Sequence, residues 1–173
     1  MKDLMNRALD LAGVRGANYA DIRVVHNRTQ SIAVRDGVVE SLDFAENEGF
    51  GVRVLVGGAW GFASSRDLSP AEVDRVTAQA LEIASASALV SGDVVDLGPA
   101  VTSQGVYITP LQIDPFGISL EDKLALLMAA DAAMGQVSGI RTRRSNLSLV
   151  REHKYFANSE GAFTEQTIIE TGG

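Results

Sequence analysis

The sequence has no cysteine and only two histidines in 173 residues. Without cysteine there is no disulfide framework, no thiolate metal ligand and no cysteine nucleophile, and this composition suits a reducing cytoplasm. Neither His26 nor His153 belongs to an HExxH helix, which is the local zinc signature of many metallopeptidases. The inverted form, HxxEH, would need a histidine where the sequence has Leu149. The chain therefore carries no local zinc motif.

Basic residues are also fewer than acidic ones: the sequence has 15 Lys and Arg and 22 Asp and Glu, which gives a net charge of −7. This balance opposes the long-range attraction that nucleic acids and anionic membranes exert. No apolar run reaches the roughly 18 residues that a membrane span needs, and Asp3, Arg7 and Asp10 exclude a signal peptide at the N-terminus. We expect a cytoplasmic protein whose partners include neither nucleic acid nor a membrane.

Residues 1–90 predict an N-terminal α+β domain. Residues 2–12 have the apolar spacing of a helix, and a period of two, typical of strands, begins at Ile22. Asp36-Gly37 is a strong signal for a two-residue hairpin turn. We predict a five-stranded antiparallel meander covered by helices, with strands near Ile22, Ile32, Val38, Val52 and Trp60.

The stretch EGFGVRVLVGGAWGFASS, residues 48–65, has five glycines and raises the question of a phosphate-binding loop. The spacing excludes it, because Val54 stands where GxGxxG needs its third glycine and no P-loop lysine follows. Gly57-Gly58 instead lies where a tight turn needs positive φ. The stretch therefore predicts a hairpin.

The clearest helix start is Ser69, Pro70 and Glu72, an N-cap, a first-turn proline and a capping box. We expect this helix to bury one stripe: Val73, Val76, Ala80, Ile83 and Ala84.

Three of the four prolines fall between Ser91 and Ser119, so residues 91–118 predict a linker or draped arm. Residues 119–173 predict a second, incomplete unit of one helix and an antiparallel sheet. Its helix is capped by Ser119, and its strands cover 140–150, 151–157 and 162–171. The last strand would leave a long unpaired edge, and we therefore expect the unit to be truncated.

Three groups of residues are candidates for chemistry. The acids Glu40, Asp43, Glu46 and Glu48 are typical of solvated hairpin carboxylates rather than of an acid–base pair. Ser159 fails as a nucleophile elbow because Ala157 replaces the required glycine. A basic group comprises Arg141, Arg143, Arg144, Arg151 and Lys154, near Tyr155 and Phe156. Alternation splits it between two faces, which favours protection of an edge strand, or contact with an acidic partner, over nucleic-acid binding.

The histidines are most simply explained without catalysis. His26 shares a predicted strand face with Ile22 and Val24, which indicates a packed or rim position, and His153 lies among charges, which indicates a solvent-facing one. We assign no catalytic, cofactor-binding or metal-binding residue within the chain.

Several stretches together resemble the N-terminal part of the TldD/PmbA family, in order and over nearly the whole chain. They are ANYADIRVV (17–25), VRDGVVES (34–41), GFGVRVLVGGAWGFASS (49–65), LSPAEVDRVTAQALEIA (68–84), LEDKLALLMAADAA (120–133) and EHKYFANSEGAFTEQ (152–166).

This resemblance implies a zinc metallopeptidase family that matures peptide precursors or degrades unfolded segments, also labelled as modulators of DNA gyrase. It implies a homodimer or a heterodimer of paralogues, with the zinc-binding HExxxH helix beyond residue 173. We therefore expect an N-terminal scaffold and substrate-access portion that is inactive alone and has no cofactor of its own. Two alternatives stay open: a non-catalytic interaction module that pairs with a full-length paralogue, and a regulator linked to nucleic acid, which the acidic balance disfavours.

Overall fold

The computed structural model describes residues 1–90, 95–100 and 102–173. Within them the chain is α+β, which confirms the predicted class. The helices are α1 (Lys2–Val14), α2 (Pro70–Ala88) and α3 (Leu120–Gly135), and a 3-10 turn covers Pro115–Gly117. The strands are β1 (Tyr19–Arg35), β2 (Val38–Val56), β3 (Ala59–Ser65), β4 (Gln104–Ile108), β5 (Arg144–Asn158) and β6 (Phe163–Gly172). The predicted linker falls partly outside the described residues, at 91–94 and 101, and its described part contains β4.

The described strands form one mostly antiparallel sheet in the order β3-β2-β1-β5-β6-β4. Backbone bonds give the direction of β5: Ser159 N–H donates to Ala20 O, and Asp36 N–H donates to Arg143 O. Residue numbers fall along β5 as they rise along β1, so this central pair is antiparallel. The two strands predicted at 140–150 and 151–157 are wrong as separate strands, because one strand, β5, covers Arg144–Asn158 and pairs with β1.

The predicted five-stranded meander is wrong in its strand count. The segments near Ile22 and Ile32 are one 17-residue strand, and those near Val38 and Val52 are one 19-residue strand. The polar run NRTQS, residues 27–31, interrupts the apolar alternation, which is why the sequence pattern predicts two strands here. It contains no glycine or proline to turn the chain, and pairing with neighbours on both sides keeps β1 extended.

The two predicted hairpin turns are present. Asp36 and Gly37 have φ of 50° and 78°, and Gly57 and Gly58 have φ of 57° and 81°. Positive φ at both central positions is what a two-residue hairpin requires, and it explains glycine at three of these four positions. The glycine-rich stretch is therefore a hairpin.

The chain divides into two compact units, each assembled from three stretches of sequence. The first comprises Met1–His26, Glu48–Tyr107 and His153–Gln166, and the second comprises Asn27–Asn47, Ile108–Glu152 and Thr167–Gly173. The boundaries predicted near residues 90 and 118 stay a prediction.

In the first unit, α1 and α2 pack together, and α2 lies against β3. The Ser69 hydroxyl accepts a hydrogen bond from Glu72 N–H at 3.4 Å, which is one half of the predicted capping box. The other half is wrong, because Ser69 N–H donates to Asp67 Oδ1 and not to Glu72. The buried stripe of α2 includes Leu81, whereas Ile83, predicted to be buried, is 40% exposed. Both positions border the stripe. Asp74, on the Leu81 side of α2, pairs with Arg7 of α1, so α1 lies on that side.

The core of the second unit is small: Ile32 and Val34 of β1 pack against Leu127 of α3. A buried polar contact lies beside it, where Lys123 Nζ donates to Gln30 Oε1 at 2.8 Å. Burial lowers the pKa of Lys123, and the nearby Arg28 lowers it further. The predicted cap of α3 is present, since Ser119 Oγ accepts from Asp122 N–H at 3.0 Å.

The predicted open edge over 162–171 is wrong for the part of β6 that pairs with β4. Phe163 N–H donates to Ser103 O at 2.8 Å, and Thr109 N–H donates to Thr167 O at 2.9 Å. Residue numbers rise together on the two sides, so β4 runs parallel to β6. The predicted linker, residues 91–118, has no regular apolar periodicity, so its sequence does not predict the strand β4.

Candidate functional site

The two histidines, distant in sequence, lie on adjacent strands with ring centroids 6.3 Å apart. Each has its own carboxylate: His26 Nδ1 is 3.0 Å from Glu48 Oε2, and His153 Nε2 is 2.9 Å from Glu165 Oε1. The ring centroids of Tyr155 and His153 are 4.5 Å apart. Burial and the nearby Glu165 carboxylate raise the pKa of Tyr155. Both histidine side chains are about one-third exposed, so each ring lies at the border between packed residues and solvent.

This cluster does not fit a zinc ion. Each imidazole is engaged by a separate glutamate, whereas a zinc site needs three or four converging ligands. Among the residues that the structure describes, no group of three or more His, Cys, Asp or Glu could hold a metal. Sequence reasoning missed the pairing of the histidines, because only the register of β1 against β5 brings them together.

The basic group does not act as one surface. Three of its arginines pair with different acids: Arg143 with Asp131, Arg144 with Glu40, and Arg151 with Asp114. The Phe116 backbone N–H and the Arg151 guanidinium lower the pKa of Asp114. The predicted role in protecting an edge strand is wrong, because β5 lies between β1 and β6.

A true edge lies on β2. Strand β3 pairs only with the second half of β2, from Phe50 to Val56, and β2 otherwise has β1 as its neighbour. We call the outer side of residues 38–47 the open edge. Within the described chain no strand covers it, and its residues are exposed or half-buried.

The open edge is acidic and contains neither proline nor lysine. Glu40 pairs with Arg35 of the adjacent β1 and with Arg144 of β5, which lies beyond β1, and Asp43 is exposed. Leu42 and Phe44 are also exposed, Phe44 by 59%. Charge discourages adventitious pairing of such an edge, but the backbone groups that a further strand needs are not blocked.

A hollow of about 440 Å³ lies over the first three strands of the first unit. Its charged lining residues are Asp21, Arg23 and Arg53. Nε and Nη2 of Arg53 both donate to Asp21 Oδ2, at 2.8 and 2.7 Å, and the Asp21 side chain is buried. The Arg53 guanidinium also lies 4.5 Å from the Trp60 ring centroid. Packing and the ion pair thus fix the Arg53 head group at the hollow.

Two glycines of β2 leave room for close neighbours at the hollow. Gly49 and Gly51 line it together with the ring of Phe62. A Cβ at Gly51 would lie 2.8 Å from Phe62 Cε2, so glycine lets the ring lie against the strand. Sequence reasoning assigned Gly57-Gly58 to a turn but gave Gly49 and Gly51 no role.

The chain matches two models of one family. Residues 20–84 match the PmbA/TldA metallopeptidase domain 1, and residues 113–172 match the PmbA/TldA metallopeptidase central domain. Together they cover more than half of the chain.

Curated relatives are named as metalloproteases. One from Synechocystis sp. is 32% identical over 87% of this chain and 32% of its own length. One from Methanothermobacter thermautotrophicus is 29% identical over 85% of this chain and 31% of its own length. The chain thus spans about a third of the length of these relatives.

Solved structures share the fold. A protein from Thermotoga maritima, named as a modulator of DNA gyrase, superimposes with a TM-score of 0.75 at 15% identity, over 98% of this chain and 38% of that one. TldE from Thermococcus kodakarensis gives a TM-score of 0.66 at 14% identity, over 99% of this chain and 38% of that one. No helix in the described part of the chain is long and apolar enough to span a membrane.

Proposed function

Because the chain belongs to the PmbA/TldD metallopeptidase family, we propose that it is the N-terminal scaffold and substrate-access portion of a zinc metallopeptidase. The substrates are peptides or unfolded segments, and the outcome is peptide maturation or degradation. The relatives named as metalloproteases are about three times as long as this chain. In this proposal the metal and the hydrolytic residues belong to the rest of such a protein, since the described residues do not fit a zinc site.

The open edge of β2 is the observation that carries this role. An extended peptide that adds to a sheet edge bonds through its main chain, so affinity depends little on side-chain identity. This mode suits a peptidase that accepts unfolded segments of varied sequence. Folded proteins have few free strands to offer, so this mode favours unfolded segments.

The position of the edge favours β2 over β6. Strand β4 pairs with β6 from Phe163 to Thr167, whereas the outer side of residues 38–47 has no neighbouring strand in the described chain. Ten residues of β2 would span roughly 33 Å at the rise of an antiparallel strand, which is enough for a peptide of eight to ten residues.

Alternate N-methylation of a peptide tests this mode. A peptide in a strand has two rows of N–H groups, and only one row faces the protein. We would compare an unmodified decapeptide with two versions methylated on alternate residues, using amide chemical shifts of residues 38–47. The proposal expects one methylated version to bind like the parent and the other not to bind. Equal binding of both versions would show that the main chain is not recognised.

The partner and the compartment are part of the proposal. We propose a homodimer or a heterodimer with a paralogue, in the cytoplasm, because the family resemblance implies paired subunits. Light scattering of the chain at high concentration, alone and with a full-length paralogue, measures this pairing. A chain that stays monomeric in both cases removes the dimer proposal and leaves strand addition to be judged by the N-methylated peptides.

A further inference from the structure

The hollow over β1, β2 and β3 is positively charged on an acidic protein. Its charged lining residues are Arg23, Arg53 and Asp21, whereas the whole chain has a net charge of −7. Local potential depends on nearby charges more than on the net charge, so the two arginines favour an anion here.

Both guanidinium groups are held in place before any ligand binds. Arg23 lies 5.5 Å from the Phe156 ring centroid, and Arg53 lies 4.5 Å from that of Trp60. Nε and Nη2 of Arg53 donate hydrogen bonds to Asp21, and Nη1 takes no part in that pair. A guanidinium fixed by stacking loses little side-chain entropy when it binds a carboxylate.

The remaining lining favours a flat apolar group. Val25, Phe50 and Phe62 are the apolar lining residues, and the Phe62 ring lies on Gly51. Phe62 is 58% exposed, although its ring lies against the strand. A ligand ring could stack beside Phe62 in a geometry that aromatic pairs prefer. The volume of about 440 Å³ lies within the roughly 300–1,000 Å³ of small-molecule sites.

We propose that this hollow binds an aromatic carboxylate, with the carboxylate on Arg23 and Arg53 and the ring against the exposed face of Phe62. Two sources share this chemistry: a free aromatic acid, and the C-terminal aromatic residue of a peptide. The site shares no residue with the open edge of β2, so the two proposals stand or fall independently.

The single tryptophan of the chain provides the first readout. Trp60 contacts Arg53, and a carboxylate that binds Arg53 changes the surroundings of the indole. The probe is N-acetyl-L-phenylalanine, which does not absorb at the red edge of the indole band. We expect a saturable change in emission, together with chemical-shift changes at the amides of Gly49 and Gly51. The N-acetyl-phenylalanine amide, which lacks the carboxylate, should bind at least tenfold more weakly.

Matched variants locate the site. Arg23→Gln should weaken binding of the probe roughly tenfold or more, and Phe62→Ala should weaken it by a smaller factor. Both side chains are exposed, so these variants should fold. Arg15→Gln removes an exposed arginine that does not line the hollow, and it should leave the affinity unchanged.

Peptides distinguish the two sources. If Gly-Gly-Phe with a free C-terminus binds as tightly as the probe, and its amide does not, the site accepts peptide C-termini. If the probe binds and the peptide does not, the site accepts small acids; either result supports the proposal. It is overturned if acid and amide bind equally, if Arg23→Gln binds like wild type, or if neither ligand produces a saturable change.

Discussion

Gly61→Ala should be the most destabilising single-methyl change in the first unit. Gly61 lies in β3 directly under α2, and a Cβ there would be 2.0 Å from Ala80 O and 2.5 Å from Ala84 N. Both atoms belong to the helix backbone, so no side chain can rotate away. Its φ lies outside the positive region, so the effect is steric alone.

The magnitude follows from the displacement that the new methyl group requires. A real Cβ contact needs more than 3.0 Å, so α2 has to move by at least 1 Å from the sheet. A gap of about 0.5–1 Å already forfeits a quarter to a half of the dispersion energy of facing atoms. The gap would run along the buried stripe of α2, which includes Val73, Val76 and Leu81. We expect a loss of about 3–5 kcal/mol, above the ~1–3 kcal/mol of ordinary overpacking.

Urea denaturation followed by far-UV circular dichroism measures this loss. The matched control is Gly13→Ala in α1, where a Cβ would meet nothing within 4 Å. Alanine should stabilise that helix by about 0.5–1 kcal/mol, so one chemical change gives opposite signs at two sites. If Gly61→Ala loses less than about 1 kcal/mol, the close contact of α2 with β3 is wrong.

Three further predictions concern single side chains. Arg53→Gln should lower the free energy of unfolding by about 2–3 kcal/mol, because it leaves the buried Asp21 carboxylate unpaired. Arg53→Lys keeps the positive charge, so the same urea experiment should show a smaller loss of free energy of unfolding. Hydrogen bonds from Arg75 and Ser65 lower the pKa of the Glu72 carboxyl to about 2. The contribution of Glu72 to the free energy of unfolding is therefore complete above about pH 4.5 and is lost as the pH falls towards 2. Carboxyl NMR titration should find that pKa, and a value near 4.5 in the wild type would exclude the ion pair. Ser119→Ala should cost about 1 kcal/mol by removing the cap of α3, and an unchanged melting temperature would contradict it.

The sequence alone predicts a turn or a helix cap correctly where one residue type provides the backbone conformation or the hydrogen bond that the position requires. The turn at Asp36-Gly37, the turn at Gly57-Gly58, and the caps at Ser69 and Ser119 are all found where the sequence predicts them. Each depends on positive φ or on a hydroxyl near free N–H groups, and neither requirement involves distant parts of the chain.

Strand lengths and the order of the sheet could not be derived in the same way. The polar run at 27–31 remains extended because β1 pairs with β2 on one side and β5 on the other. Likewise β4 is a strand because β6 offers it a free edge, although its own five residues are exposed. Tertiary pairing overrides local pattern at both places.

The candidate sites depend on register, which no single stretch of sequence contains. The hollow combines residues from three strands, and His26 meets His153 across the sheet. One local signal did exist: Gly49 and Gly51 alternate within a strand, where glycine has no conformational advantage, and so indicate a close approach of another group. The assignment of no catalytic, cofactor or metal residue to this chain stays a prediction.

Hydrogen–deuterium exchange along β2 tests the central claim most directly. Backbone N–H groups of residues 38–47 that point away from β1 should exchange freely in the unbound chain and become protected when an extended peptide is added. Protection should be confined to these alternate amides, while the amides of β6 stay unchanged. If a bound peptide leaves the exchange of residues 38–47 unaltered, the open edge is not where substrate enters and the substrate-access role is contradicted.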